Sequence, residues 1–303
     1  MRLSVEPWAP EYGTPVASEL AETTIVPDVD IEVPAADWVP LEPDTEPARS
    51  VLFVDGVRRV DAHVWVGEED GVPVSGLCAT YAAGAVRCDT EAKLVGAEVR
   101  RGLFTSAPGA EAVTTKHGVY GVRATAGSSL EELWLGLQQR MGELEREVAS
   151  HLLAAELIIT DGPLTGRQHV PGGVGYVKTH RVQYLPAALQ TVLTRLLPGQ
   201  RTPLFLTTTS WSRYSWYTRL PGGGDAPLGG IVRCEVSADR DIVSARRLAD
   251  RVSVTLPRFA SAAHKDPRAP QNLYPIGGLE RELRRRLGDQ QLLYRALRVA
   301  AHR

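Results

Sequence analysis

VLFVDG, residues 51–56, is where regular patterning begins in this chain, and ELIITDG, residues 156–162, repeats its grammar a hundred residues later. In each, a short, largely apolar run ends in Asp-Gly. Such a run, closed by residues that favour turns, reads as a buried strand stopping at a turn. Working outward, VRRVDAHVWV (57–66) alternates like a half-buried strand, and SGLCATYAAGAVRC (75–88) is strand-like. Further strands are expected near Val95–Leu103 and Val113–Ala124. The period then changes. From 128 to 153, Leu130, Leu133, Trp134, Leu137, Met141, Leu144, Val148 and Leu152 share one helical face, with Ser128 or Ser129 placed to cap it. After ELIITDG, VGYVKTHRV reads as a strand and LPAALQTVLTRLL as a helix. LFLTTT, SWYTRL and GIVRCEVS read as strands, and Asp241–Val252 as helical. GGLERELRRRLGDQQLLYRALRVAA closes the chain as one or two helices broken near Gly288. Strands, one long helix, a central strand and then mixed elements predict an α/β domain with a mixed sheet flanked by helices, of the ribonuclease H-like kind. No glycine fingerprint follows the first strand, which argues against a dinucleotide fold.

The chain has 303 residues, 43% hydrophobic and 23% charged, within the ordinary range for a globular protein. No apolar run approaches the roughly 18 residues of a membrane span, and the start MRLSVEPWAP has no signal-peptide pattern. Cys78, Cys88 and Cys234 lack metal spacing and are odd in number, so they read as reduced thiols of a cytoplasmic protein. The net charge of −2 conceals an asymmetry. Residues 1–50 carry eleven acidic residues and two Arg, which leaves the rest with 32 basic and 25 acidic residues, a net of +7. Residues 1–50 therefore read as an extended acidic arm, with short strands around Thr24–Val26 and Ile31–Val33. Trp8, Tyr12 and Trp38 are expected to hold it on a body spanning 51–303. A basic body is compatible with a polyanion partner, and equally with a solvated surface. Only four of the 34 basic residues are Lys.

The chemistry centres on Asp55 and Asp161. On neighbouring strands their carboxylates would approach, and two close carboxylates repel unless a proton or cation lies between them. Mg²⁺ or Mn²⁺, with its preference for oxygen ligands, suits such a pair. Taken singly, an Asp-Gly is as well explained by a turn.

FVDGVRR (53–59) and LIITDGPL (157–164) resemble the first and third motifs of the NurA nucleases, which place a Glu-bearing helix just before the second Asp-Gly. Helix 128–153 occupies that position. Lys178 in GYVKTH, then WYTRLP and GIVRCEVS, follow in the family's order, so the resemblance covers roughly residues 50–290. It implies a ribonuclease H-like fold and Mn²⁺- or Mg²⁺-dependent cleavage of DNA in repair or defence. It also implies a homodimer docked on a HerA-type hexameric ATPase. Asp55, Asp161 and one helix Glu would be the metal ligands, with Lys178 supporting the nucleophile or scissile phosphate. The Glu is one of three. Glu145 lies about 60° from the centre of the apolar stripe, Glu147 about 100° and Glu143 about 140°, so Glu145 is the first choice. The family's last motif carries Tyr-Pro and then Ala-His. NLYPIGGLERELRRRLG (272–288) keeps Tyr274 and Pro275 but has Leu279-Glu280 in place of Ala-His, which leaves His264 as the nearest proton shuttle.

Arg58 and Arg167, beside the two Asp-Gly pairs, are candidate phosphate contacts. WSRYSWYTR (211–219) interleaves aromatics with Arg213 and Arg219, as a base-stacking strand would; simple strand alternation explains it as well. PGGVG and PGGGD lack the Gly-Lys-Ser/Thr of a phosphate loop and read as turns. His63, His117, His151, His169 and His180 show no ligand spacing. ERELRRR (280–286) is either a contact for DNA or an ATPase or a solvated helix face. Two other readings stay open: a catalytically weak adaptor that binds an ATPase and DNA without cleaving, and an actin-like phosphotransferase, for which LGGIV and IGGLE are poor nucleotide motifs.

Overall fold

The structure, a computed structural model, describes residues 26–67, 72–152, 155–165, 172–179, 184–224 and 226–301. Trp8, Tyr12, Arg167, His169 and His180, and the arm before residue 26, lie outside the described residues. The protein is α/β, with a ten-stranded mixed sheet flanked by helices. The elements are β1 (Val51–Val66), β2 (Val74–Cys88), β3 (Ala92–Thr105), β4 (Val113–Thr115), β5 (Gly118–Ala124), α1 (Leu130–Ser150), β6 (Leu157–Asp161), β7 (Gly173–Val177), α2 (Ala187–Arg195), β8 (Phe205–Thr208), β9 (Ser212–Arg219), β10 (Ile231–Ser237), α3 (Ile242–Thr255), α4 (Tyr274–Arg286) and α5 (Gln290–Ala300). Strand order is β4-β5-β3-β2-β1-β6-β7-β10-β9-β8. No described helix is long and apolar enough to cross a membrane.

The chain divides into two compact units. The first, Val54–Val86, Leu94–Leu153 and Gly278–Arg303, holds most of β1–β5 with α1, α5 and the body of α4. Its β4–β5 pair is an antiparallel hairpin whose return strand runs parallel to β3. α1 starts where the sequence places its cap: the Ser129 side chain accepts from Glu132 N, and Glu132 reaches back to Ser129 N. Leu133, Leu137, Met141, Leu144 and Val148 are buried along its length, at the spacing of one helical face. Cys78, Leu103, Tyr120 and Leu297 form a second apolar cluster. Beside it, the buried Asp61 carboxylate accepts from Arg59 Nε (2.9 Å), Thr80 Oγ1 (2.5 Å) and Tyr120 OH (3.0 Å). Such a buried carboxylate is tolerable because it is fully hydrogen-bonded.

β1 corrects one expectation. It does not stop at Asp55-Gly56 but runs unbroken to Val66. Gly56 is not a turn residue. A Cβ there would lie 2.3 Å from Glu145 Oε1 and 2.9 Å from Met141 Cγ, so the glycine exists to let α1 sit on the strand. The second Asp-Gly does turn: β6 ends at Asp161, and Gly162 has φ +87°.

The other unit comprises Met1–Phe53, Arg87–Lys93 and Ala154–Gly277. β6 and β7 pair in parallel, and β10 lies antiparallel between β7 and β9, with β8 outermost. Trp38, Tyr184, Leu189, Val192, Phe205, Tyr217 and Ile231 are members of its apolar core. The described part of the arm belongs to this unit. Trp38 is buried, Asp28 bridges to Leu206, and Leu41 bridges to Arg201. Ile31–Val33 is a bend and not the expected strand. Glu32 turns inward there, its carboxylate gripping Arg201 through both terminal nitrogens (2.8 and 2.9 Å) and accepting from Leu204 N (2.6 Å).

Candidate metal centre

Within the first unit, β1 presents Asp55 and α4 presents Glu280. Both are nearly buried, at 7% and 8% exposure, and each offers an oxygen within 4.8 Å of the other's. Asp55 Oδ1 also accepts from Gly56 N at 2.8 Å. α4 comes close to the sheet because β2 carries Gly84. A Cβ at Gly84 would sit 3.0 Å from both Leu279 Cδ1 and Leu283 Cδ2, the residues that flank Glu280 on the helix.

Of the three helix glutamates, Glu145 is the buried one, at 2% exposure. Glu143 pairs with Arg140, and Glu147 with Arg100. Glu145 meets Gly56. Successive strand residues point to opposite faces, so Asp55 and Gly56 address different helices. Glu280 stands beside Asp55. Arg58, exposed on β1, lies over the Trp134 ring at 5.5 Å and near enough to Glu145 to feel its charge.

Within the second unit, Asp161 ends β6 and Lys178 follows β7 directly. Lys178 Nζ donates to Asp161 Oδ2 (2.7 Å) and to Asn272 Oδ1 (2.9 Å). Asn272 Nδ2 in turn donates to Asp266 Oδ2 at 2.6 Å. Burial pushes the Asp266 carboxyl up, but the Asn272 bond, Arg268 N–H and the Arg268 charge outweigh it and hold the group below its ordinary value. Tyr176 OH, donating to Gln271 O at 2.6 Å, ties this loop to β7. The turn after Asp161 is fixed as firmly. Leu164 N donates to Glu235 Oε1 (2.5 Å), and Leu164 packs so close to Gly175 that a Cβ there would lie 3.0 Å from it. Glu235 is itself held by Arg233 (2.5 Å) and Arg213 (3.4 Å).

The remaining predicted residues fall elsewhere. Arg213 is buried at 2% exposure, with its guanidinium 5.8 Å over Tyr184 and 5.3 Å over Trp211. Arg219 donates to the carbonyls of Gly229, Leu193 and Pro227. His264 is exposed on a turn, two residues from Asp266. The sequence reading missed Glu280, Asp266 and Asn272. For Glu280 a signal existed: Ile276, Glu280, Leu283 and Leu287 recur at four, three and four residues, so the glutamate sits on the apolar stripe of its helix. Asp266 and Asn272 lie in an irregular segment that carries no period.

A scan of the chain against protein-family models and a search of curated proteins each return no match.

Proposed function

We propose that this protein is a divalent-metal-dependent nuclease with a ribonuclease H-like fold, in which Asp55 and Glu280 hold a cation; a metal-ligand role for Asp161 follows from the resemblance. The observation that carries the reading is the chemistry of the donor set. Asp55 and Glu280 bring two nearly buried carboxylates to within 4.8 Å of each other, and a close pair of negative oxygens suits a divalent cation. Hard oxygen donors select Mg²⁺ or Mn²⁺. The fold reading is supported by the order β3-β2-β1-β6-β7, with α1 leading into β6. That arrangement agrees with the NurA-like order of motifs.

A bound Mg²⁺ or Mn²⁺ supplies Lewis acidity at a phosphodiester and lowers the pKa of a coordinated water. The chain's own residues do the rest. Asp55 and Glu280 fix two oxygens through a continuous strand and a close-packed helix. Asp161 can serve a metal and Lys178 together, because a carboxylate has two oxygens. Lys178, anchored by Asn272, sets a positive charge where negative charge grows on the phosphate during cleavage. DNA as substrate, a HerA-type ATPase partner and a homodimer follow from the resemblance and belong to the same proposal.

A second reading, a catalytically weak adaptor that grips an ATPase and DNA, draws on one observation. Glu280 stands where the resemblance expects histidine, and His264 lies on an exposed turn. Incubation of labelled DNA with Mn²⁺ separates the two. Cleavage abolished by Asp55→Asn and by Asp161→Asn supports the nuclease. No cleavage under any metal, with ATPase binding intact, supports the adaptor.

A further inference from the structure

The helices of the first unit carry opposite net charge. α1 has five Glu and two Arg, a net of −3. Residues 278–301 have six Arg and three acidic residues, a net of +3. Arg281, Arg284, Arg285, Arg286, Arg295 and Arg298 are all exposed. Of the three acids, Glu280 is buried, Glu282 is taken by Arg285 and Arg286, and Asp289 caps α5 through Leu292 N. Arg281, Arg284, Arg295 and Arg298 have no carboxylate partner among the described residues. Four exposed like charges on one helix pair repel one another unless an anion neutralises them.

Two further features give that anion a shape. On α4, residue 284 is one turn from residue 280, so Arg284 neighbours Glu280 on the helix surface. On α5, Tyr294 is 46% exposed, one turn before Arg298 and adjacent to Arg295. An exposed aromatic ring beside guanidinium groups suits a stacked base flanked by phosphates. The helix pair is also pinned. Arg59 donates to Gly288 O (2.7 Å) and Leu287 O (3.4 Å) at the α4–α5 turn, while Asp61 holds its Nε.

We propose that the outer faces of α4 and α5 form a phosphate-backbone track that binds single-stranded nucleic acid and leads it toward Glu280. Only the destination rests on the nuclease reading; the binding surface stands or falls by itself. The test is fluorescence anisotropy of a labelled oligothymidylate against the full chain in EDTA, over a series of salt concentrations. The variant R281Q/R284Q/R295Q/R298Q binds more weakly, and its log K against log salt slope falls by about three, from roughly 0.7 per phosphate contact. Tyr294→Ala weakens binding by about fivefold, the low end for one stacked base, and leaves the slope unchanged. R49Q/R195Q/R240Q/R247Q, an equal charge loss in the other unit, keeps the wild-type slope. Equal slope losses in both quadruple variants overturn the proposal, as does wild-type binding by the α4–α5 variant. A wild-type chain that binds polyglutamate but not the oligonucleotide overturns it in favour of an acidic protein. EDTA removes metal from the assay, so failure of the metal centre leaves this result untouched.

Discussion

Gly56→Ala tests how β1 and α1 are joined. The new methyl carbon lands 2.3 Å from Glu145 Oε1 and 2.9 Å from Met141 Cγ, where ordinary contact begins at 3.4 Å. Oε1 is the far end of a flexible side chain, and in an open site a small rotation would absorb the clash. Here Glu145 is 2% exposed, so rotation must push a buried carboxylate into surrounding packed atoms. Overpacking of this kind costs about 1–3 kcal/mol, and the added desolvation places Gly56→Ala in the upper half of that range. Denaturant midpoints of wild type, Gly56→Ala, Glu145→Ala and the double variant measure it. Glu145→Ala removes the closer obstacle, so Gly56→Ala costs at least about 1 kcal/mol less on that background, a coupling typical of side chains in contact. The Met141 contact keeps the residual cost above zero. A neutral Gly56→Ala, or one whose cost is the same with and without Glu145, refutes the packing argument.

Other outcomes follow from the same geometry. Asn272→Leu strips one partner from Lys178 and one from Asp266, both buried, and lowers stability by about 2–4 kcal/mol in urea denaturation; an unchanged midpoint contradicts the relay. For Glu32, burial alone would raise the carboxyl pKa, but the hydrogen bonds and charge of Arg201 bring it below its ordinary 4.5. A depressed folded value gives stability that is complete above about pH 4.5 and lost as pH falls through the folded value, so Glu32→Gln costs about 3 kcal/mol at neutral pH and flattens the acid limb of the stability curve. A variant whose acid limb matches the wild type contradicts that. Burial, with nearby carboxylates adding to it, pushes the Cys78 thiol up to about 12 and that of Cys88 to about 11; burial also raises Cys234. All three thiols therefore resist a disulfide reagent at about pH 8 in the native chain and react once it is unfolded.

The legible part of the sequence was its periodicity. The face of α1, its Ser129 cap, the break at Gly288 and the hydrophobic strands could be read directly, because burial imposes periods of 3.6 and 2 on neighbouring residues. Asp-Gly was less informative, since two identical dipeptides serve different ends. Gly162 turns the chain with φ +87°. Gly56 stays extended and makes room for Glu145, which no local pattern announces. Glu145 was rightly read as the inward glutamate of its helix, but which strand residue an inward side chain meets depends on tertiary packing. Glu280 was harder still. It lies 225 positions after Asp55 in a segment crowded with charge, and only its place on an apolar stripe set it apart. The Lys178–Asn272–Asp266 relay joins a strand end to an irregular loop, so no spacing rule could connect them.

Mn²⁺ binding, followed by electron paramagnetic resonance of the free ion as the protein is titrated, tests the metal centre without requiring any substrate. The wild-type chain should take up Mn²⁺, and Asp55→Asn, Asp161→Asn and Glu280→Gln should each weaken that uptake by at least an order of magnitude, while Glu143→Gln leaves it unchanged. Uptake by the wild type that survives all three substitutions, or no uptake at all by a folded wild-type chain, contradicts a cation held by these carboxylates.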